Sequence, residues 1–217
     1  MKTEDLKKHI DEILKLTFER VQYAFDHNKE NGPIISKPVS RIVFPSYSNE
    51  NSDSRISEQE LRFCFTEAFN EHFHDEKNKN IPLFYSVETP TRNNYYGFST
   101  SKDNPHPTPQ PDPDGRSAEF DLVVFELEDG KMRRKCLIEF KANNASTLDH
   151  EKDFVKLNNP QELSDEEGKN DVGLRYFIEL IDGCHSGTLT SLNDKIATKK
   201  GTYFICYSLK KRSVVIS

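Results

Sequence analysis

The chain has 217 residues and a formal net charge of −6 at pH 7, with 34% hydrophobic and 30% charged residues. The acidic balance argues against a protein that coats nucleic acid by bulk positive charge, although a local basic face would still allow contact with DNA. No apolar run reaches the ~18 residues of a membrane-spanning helix, and the charged N-terminus lacks the apolar segment of a signal peptide, so the sequence predicts a cytoplasmic protein without membrane contact.

The chain begins with an amphipathic helix over Thr3–Phe25. Its apolar side chains recur at helical spacing and form one wide stripe: Leu6, Ile10, Ile13, Leu14, Leu16, Phe18, Val21 and Phe25. We expect this stripe to cover the core, and a homodimer built on the helix is the alternative. A loop over Asp26–Ser40 and a short strand over Arg41–Phe44 follow in the sequence.

A second helix is predicted over Ser57–Phe73. Ser57 and Glu60 have the spacing of a capping box at its start. His72 and His74 are two residues apart, which is not the spacing of metal ligands on one helix face, so we expect both to be exposed. The four cysteines form no CxxC pair, and the sequence therefore predicts reduced thiols and no zinc site.

The next segment predicts strand and loop. A strand is expected over Ile81–Val87 and a short one over Tyr95–Phe98. The segment Ser99–Gly115 holds five prolines among polar residues, a composition that predicts a mobile loop.

A β-hairpin over residues 120–142 is the centre of the sequence. Two apolar strands are joined at Asp129-Gly130, a dipeptide that is typical of tight hairpin turns. Three charges interrupt the apolar pattern: Asp121, Glu139 and Lys141. Glu139 and Lys141 share one face of their strand, roughly 6.6 Å apart, because side chains alternate along a strand.

The strand register decides whether Asp121 joins the other two charges. With a strict two-residue turn throughout, Asp121 would lie opposite Ile138 and face away from Glu139. One bulge or a three-residue turn moves Asp121 opposite Glu139 instead. We predict this shift.

The remaining elements complete an α/β protein with a mixed sheet. We expect one domain over residues 1–217, with an N-terminal extension of residues 1–56, a core of residues 57–217 and a mobile loop at residues 99–115. Leu174–Ile181 is expected to run parallel to the second hairpin strand. The predicted C-terminal elements are helices Thr147–Leu157 and Leu189–Thr198 and strands Leu174–Ile181, Thr202–Leu209 and Ser213–Ile216.

Two carboxylates next to a lysine are suited to metal-dependent hydrolysis. Carboxylate oxygens are hard ligands for Mg²⁺, which lowers the pKa of a bound water. A lysine can hold that water and stabilise developing negative charge. A structural salt bridge among Asp121, Glu139 and Lys141 is the plainer alternative, but charged residues within such an apolar strand are costly to bury unless they are paired or metal-bound.

This pattern resembles the PD-(D/E)xK nuclease superfamily. The resemblance rests on Asp121, Glu139 and Lys141, and on the order helix, strand, strand, strand, helix, strand over roughly residues 57–210. Phe120 stands where the superfamily's name has proline. The resemblance implies a restriction-endonuclease-like αβββαβ core, with a mixed sheet flanked by helices and an extra N-terminal helix.

The resemblance also implies roles for individual residues. Asp121 and Glu139 would bind Mg²⁺ or Mn²⁺ with help from the backbone carbonyl of Phe140. Lys141 would serve the nucleophilic water.

Helices of such nucleases often add further groups to the site. A glutamate from the helix before the first core strand is expected to join the metal, with Glu60 as first choice and Glu67 as second. For Glu60, helix capping alone is the alternative. Asp153-x-x-Lys156 resembles a pattern often seen in the helix after the Glu-x-Lys strand, although its spacing also suits a simple surface pair.

Contacts with nucleic acid are expected from a few exposed cations and polar groups. Arg116, Ser117 and Lys156 are candidates for phosphate contacts. Residues 131–135 and 210–212 are candidate basic patches, and a solvated surface is the alternative for each.

The leading interpretation is a Mg²⁺-dependent nuclease that hydrolyses DNA phosphodiester bonds, as in restriction, defence or repair, with an RNA substrate left open. The first alternative is a catalytically inactive nuclease-fold protein that acts as a nucleic-acid-binding or regulatory module. The second is a structural protein in which the three charges form a salt bridge.

Overall fold

The protein is α/β, with a seven-stranded mixed sheet and four helices in the part of the chain that the computed structural model describes. The described residues are 1–28, 38–45, 55–97, 109–143, 145, 147–164, 172–183, 186–196 and 201–216. The helices are α1 (Thr3–His27), α2 (Glu58–His74), α3 (Thr147–Asn158) and α4 (Ser186–Ile196). The strands are β1 (Leu83–Tyr96), β2 (Gln110–Pro111), β3 (Arg116–Glu128), β4 (Lys131–Ala142), β5 (Leu174–Ile181), β6 (Tyr203–Ser208) and β7 (Ser213–Ile216).

The sheet has the strand order β2-β1-β3-β4-β5-β6-β7. Strands β1, β3 and β4 are antiparallel neighbours, whereas β5 lies parallel to both β4 and β6. Helices α3 and α4 make the two crossovers that parallel neighbours require. The predicted strand at Leu174–Ile181 and its parallel pairing are therefore confirmed.

The hairpin between β3 and β4 contains both a tight turn and a bulge. Asp129 and Gly130 have φ values of 50° and 76°, as a two-residue turn of type I′ requires. Near the turn Phe125 pairs with Arg134, but beyond it Val124 pairs with Cys136, so one extra residue of β4 is accommodated there. The predicted register shift is thus confirmed, and its cause is a bulge and not a longer turn.

Apolar side chains from the two faces of the sheet form two cores. Ile138 and Phe140 of β4 join the core under α1 and α2, and Leu137 joins the core under α3 and α4. The apolar stripe of α1 lies in the first of these cores, which confirms the prediction that this helix covers the core. None of the described helices is long and apolar enough to cross a membrane.

The segment after α2 forms one long strand where the sequence predicted two short ones. The β1–β3 register shifts between Pro90 and Asn94, where the sequence suggested a break. The fully buried carboxylate of Glu162 accepts hydrogen bonds there from the backbone N–H groups of Arg92 (2.8 Å) and Asn93 (3.0 Å). A distant side chain thus satisfies backbone groups that would otherwise end the strand.

Other predictions were wrong in detail. Arg41–Phe44 is not a strand, since only Phe44 makes an isolated bridge. Helix α4 begins at Ser186, three residues before its predicted start at Leu189. Strand β2 forms inside the segment that was expected to be a mobile loop. Residues 99–108 of that loop and residues 29–37 of the first predicted loop lie outside the described part of the chain.

Two glycines provide a matched test of the hairpin turn. Gly130→Ala is expected to lower the free energy of unfolding by about 1 kcal/mol, because a residue with a Cβ is strained at φ 76°, even though no described atom beyond the two chain neighbours lies within 4 Å of that Cβ. Gly187→Ala, in helix α4 and equally unhindered, is expected to raise it by about 0.5 kcal/mol. Urea denaturation measures both, and an unchanged or raised stability in Gly130→Ala would contradict the turn conformation.

Candidate active site

Asp121 and Glu139 meet at the end of the paired part of the hairpin. The last β3–β4 pair is Leu122 with Ile138, so the next residues along, Asp121 and Glu139, lie across from one another. Beyond that pair, the carboxylate of Asp121 accepts a hydrogen bond of 2.7 Å from the backbone N–H of Phe140. The side chain thus takes the place of a backbone partner and is held beside the Glu-x-Lys segment.

Lys141 lies between acidic groups from three elements. Its Nζ is 2.8 Å from Asp153 of α3 and 3.4 Å from Glu58 of α2, and it donates to the carbonyl of Phe140 at 3.1 Å. Burial alone would lower the pKa of Lys141, but Asp153, Glu58, Glu139 and Asp121 outweigh burial and raise it. Lys141 is therefore a firmly protonated ammonium at neutral pH.

Lys156 is the second cation of the site and joins α3 to the hairpin. Its Nζ is 2.7 Å from Glu139 and 3.0 Å from Asp153, and it donates to the carbonyl of Glu119 at 2.7 Å. Burial raises the pKa of Glu139 well above its ordinary range, and Asp153 and Asp121 add to this effect against the attraction of Lys156 and Lys141. The attraction of the two ammonium groups therefore offsets part of the cost of burying charge on Glu139.

Glu58, not Glu60, is the α2 glutamate that reaches this site. Glu60 contacts Ser57 and the guanidinium of Arg55, the latter at 3.0 Å. Ser57 has no side-chain cap hydrogen bond to the helix backbone, so the capping-box interpretation is wrong as well. Burial raises the pKa of Glu58, and Asp121 and Asp153 add to this against the effect of Lys141.

The sequence contains a signal that favours Glu58. It lies three residues before Leu61 and seven before Phe65, both on the buried stripe of α2, and the ring of Phe65 packs 5.5 Å from that of Phe140. Helical periodicity therefore places Glu58 above the Glu-x-Lys segment. Glu67, the second choice, instead lies 3.5 Å from Arg20 of α1.

The four acids Glu58, Asp121, Glu139 and Asp153, here called the carboxylate cluster, outnumber the two lysines. If all are ionised, the cluster with Lys141 and Lys156 has a formal excess of two negative charges. Glu139 and Asp153 are buried, whereas Glu58 retains 43% exposure of its side chain and Asp121 is partly exposed. Hard oxygen donors, an excess of two negative charges and an open side are the chemistry that a divalent cation such as Mg²⁺ prefers. Among the described residues, however, no three of these carboxylates bring ligand atoms within 4.8 Å of one another, so metal binding would require the side chains to move.

The plain salt bridge expected as an alternative does not form in the way the sequence suggested. Within the described residues, no ion pair joins Lys141 directly to Asp121 or Glu139, because its ion pairs are with Asp153 and Glu58. Asp153 and Lys156 are not a surface pair either, since both are buried.

Of the three candidate residues for contact with nucleic acid, two are exposed and one is buried. Lys156 is 6% exposed and its ammonium contacts three protein oxygens, so it is turned into the protein and not towards solvent in this arrangement. Arg116 and Ser117 are exposed at the start of β3. Arg116 lies five residues from Asp121, which corresponds to about 17 Å along a strand.

Both predicted basic patches are largely paired with acids. Lys135 lies 2.8 Å and Arg133 3.5 Å from Glu128, across the same hairpin. Near the C-terminus, Lys210 is 3.2 Å from Asp182 and Arg212 is 3.1 Å from Asp26. These pairs reduce the positive potential expected from the sequence.

A buried His–Glu pair lies on the strand next to the site. Glu179 of β5 is the register partner of Lys141, and its carboxylate is 3.1 Å from Nε2 of His150 on α3. The other ring nitrogen of His150 is 2.9 Å from the hydroxyl of Ser191 on α4. Because His150 and Glu179 are fully buried, this group links α3 and α4 to the sheet.

No protein-family model, no curated protein and no solved structure matches this chain.

Proposed function

We propose that the chain is a Mg²⁺-dependent nuclease of the PD-(D/E)xK type that hydrolyses phosphodiester bonds in DNA. The observation that carries the proposal is the convergence of Asp121, Glu139 and Lys141 around the backbone of Phe140. The superfamily pattern requires an acid from one hairpin strand beside a Glu-x-Lys on the other. The bulge in β4 produces this arrangement here.

The order of elements supports the same proposal. Helix α2, strands β1, β3 and β4, helix α3 and strand β5 follow one another as in a restriction-endonuclease-like core, with the two-residue β2 inserted. Helix α1 precedes this core. Because one fold hosts many functions, the site carries more weight in this argument than the order of elements.

The carboxylate cluster provides the residues that would hold the metal. Asp121, Glu139 and the carbonyl of Phe140 would be its protein ligands, with Glu58 as a further carboxylate. When bound, Mg²⁺ would lower the pKa of a water molecule and offset charge on the scissile phosphate. Asp153 does not need to bind the metal, because it is paired with both lysines.

Lys141 would act as a hydrogen-bond donor and not as a base. Its raised pKa keeps it protonated at neutral pH, so it has no lone pair with which to accept a proton. A protonated lysine can orient the attacking water through that water's lone pair and stabilise negative charge on phosphate oxygens. Asp153 and Glu58 position the ammonium for this task.

Cleavage assays with purified protein test the proposal directly. We expect cleavage of supercoiled plasmid or short duplex DNA with Mg²⁺ or Mn²⁺ and none with EDTA. Labelled single-stranded RNA in parallel reactions would show whether the substrate is DNA or RNA. A lack of hydrolysis of either nucleic acid with both metals would contradict the nuclease proposal.

The pairing of the basic patches favours a second candidate, a nuclease-fold module that binds nucleic acid or regulates a partner without hydrolysis. Four cations of the two predicted basic patches, Lys135, Arg133, Lys210 and Arg212, lie next to acids, which weakens the attraction of these patches for a DNA backbone. Binding of labelled DNA without cleavage in the presence of Mg²⁺ or Mn²⁺ would support this candidate. A homodimer remains a prediction that sedimentation can test.

Glu58 and Glu60 form a matched pair for testing the added carboxylate. Glu58→Gln is expected to lower the cleavage rate and weaken Mg²⁺ binding about 10-fold, because it removes a negative charge next to Lys141 and Asp121. Glu60→Gln is expected to leave both values nearly unchanged, because Glu60 contacts Arg55 and Ser57. If Glu60→Gln lowered the cleavage rate and Mg²⁺ affinity more than Glu58→Gln did, Glu60 and not Glu58 would be the glutamate of the site.

A further inference from the structure

A second group of metal-ligating side chains lies between α1 and α2. His9 and Glu12 are three residues apart on α1 and therefore lie on one face of this helix. His72 comes from the last turn of α2, and its Nε2 is 2.8 Å from Nδ1 of His9. Its other ring nitrogen is 3.6 Å from the carboxylate of Glu12. Each residue offers one ligand atom, and the three atoms lie within 4.8 Å of one another.

The sequence had suggested that His72 and His74 are both exposed. His74 is exposed, but His72 is only 7% exposed, because α1 packs over it. The pairing of His72 with His9 spans 63 positions of sequence, so the spacing of residues along α2 could not reveal it. Only the packing of the two helices brings the imidazoles together.

The donor set differs in chemistry from the carboxylate cluster. Two imidazoles and one carboxylate suit Zn²⁺ and neighbouring transition metals, whereas Mg²⁺ prefers oxygen donors alone. Two zinc-bound nitrogens at about 2.0–2.1 Å in a tetrahedral site lie about 3.3 Å apart. The observed 2.8 Å between the ring nitrogens is within about 0.5 Å of that separation, so a small rotation of the rings would suffice.

The surroundings hold one ligand firmly and leave another free to move. The side-chain amide of Asn78 donates to the backbone carbonyl of His72 at 3.0 Å and also lies 3.2 Å from Nε2 of His72, a contact that a metal ion on Nε2 would replace. The ring of Phe73 packs 4.8 Å from the imidazole. The Glu12 side chain is 68% exposed, so a metal ion can approach from that side.

We propose that His9, Glu12 and His72 bind one transition-metal ion, with Zn²⁺ as the preferred metal, and that this ion cross-links α1 and α2. Three protein ligands leave the fourth tetrahedral position to water. Since the ligands come from two helices that are distant in sequence, the ion stabilises the folded protein by binding it in preference to the unfolded chain. The site is separate from the carboxylate cluster and does not depend on the proposed nuclease activity.

Calorimetric titration of chelator-treated protein with Zn²⁺ tests the proposal, with Co²⁺ absorption spectra as a second readout. We expect one Zn²⁺ per chain and a tetrahedral Co²⁺ spectrum. At 100-fold excess of free Zn²⁺ over Kd, we expect a rise in Tm of about 5–10 °C. Binding that is absent, or that leaves Tm unchanged, would overturn the proposal.

Matched variants test which residues bind the ion. Because His72 is buried and its removal endangers folding, the test uses His9→Gln and Glu12→Gln, which are expected to weaken Zn²⁺ binding at least about 10-fold. The controls are His74→Gln on α2 and Glu19→Gln on α1, both exposed, and neither should change the affinity. Equal Zn²⁺ affinity in wild type and His9→Gln would show that the ion binds elsewhere and overturn the assignment.

One further variant separates this proposal from the nuclease proposal. Asp121→Asn is expected to keep full Zn²⁺ affinity at the helix pair, whatever it does to DNA cleavage. Zinc binding that disappears in Asp121→Asn would mean that the ion occupies the carboxylate cluster, and the helix-pair assignment would fail even if the nuclease proposal held.

Discussion

Replacing Asp121 with Asn is expected to lower DNA cleavage at least about 100-fold and to abolish Mg²⁺ binding at the carboxylate cluster, while the protein remains folded. The substitution removes the charge of a proposed metal ligand but keeps its shape. An amide oxygen can still accept the 2.7 Å hydrogen bond from the N–H of Phe140. Loss of activity would therefore reflect lost charge and not a disrupted strand end.

The matched control is Asp129→Asn in the hairpin turn. Asp129 lies on the same hairpin and is exposed, far along the strands from the proposed ligands. Cleavage rate and Mg²⁺ affinity should match wild type in this variant. Cleavage that persists in Asp121→Asn at the wild-type rate would refute the proposed site, and a circular dichroism melt would establish that both variants are folded.

Replacing Lys156 with Met is expected to destabilise the metal-free protein by about 3–5 kcal/mol. The reason is that Glu139 and Asp153, both buried, lose the ammonium that lies within 3.0 Å of each. Methionine fills a similar volume but has no charge. Urea denaturation at pH 7 to 8 measures the effect.

The size of this effect should depend on pH in a defined direction. The pKa of Glu139 is already raised above its ordinary value of 4.5 by burial, and loss of Lys156 removes an attraction that opposes the rise. A carboxyl with a raised pKa in the folded state gives stability that is present below its unfolded-state pKa and lost as pH rises through the folded-state pKa. The difference between Lys156→Met and wild type should therefore shrink as pH falls towards 4.5.

Two further variants test whether the loss of stability comes from leaving buried charges unpaired or from losing any ion pair. Adding Glu139→Gln to Lys156→Met should recover part of the lost stability, because one of the two stranded charges is gone. Lys210→Met removes an ion pair with Asp182 at the surface, where Lys210 is 57% exposed, and should change stability by no more than about 1 kcal/mol. A loss as large in Lys210→Met as in Lys156→Met would contradict this account.

Local sequence patterns predicted the hairpin well. The dipeptide Asp129-Gly130 specifies its own turn, because both residues tolerate positive φ. Alternation along β4 placed Glu139 and Lys141 on one face. The register shift was predicted only because Asp121 was required to meet Glu139, and neither the place of the bulge nor its form could be seen in the sequence.

Contacts between distant segments were harder to foresee. Glu162 extends β1 by accepting hydrogen bonds from residues about 70 positions away, and nothing near Pro90 indicates this. The choice between Glu58 and Glu60 depended on the docking of α2, for which the capping pattern was a misleading guide.

The sequence by itself determined the elements that depend on local periodicity: the α/β class, the amphipathic α1, the hairpin and the buried strand β5. It also supplied the three charges of the proposed site. Only the tertiary structure decided which charges are paired, because Coulomb energies depend on distances between segments and on burial. The packing of α3 made Lys156 an internal partner of Glu139, and the packing of α1 on α2 joined His9 to His72.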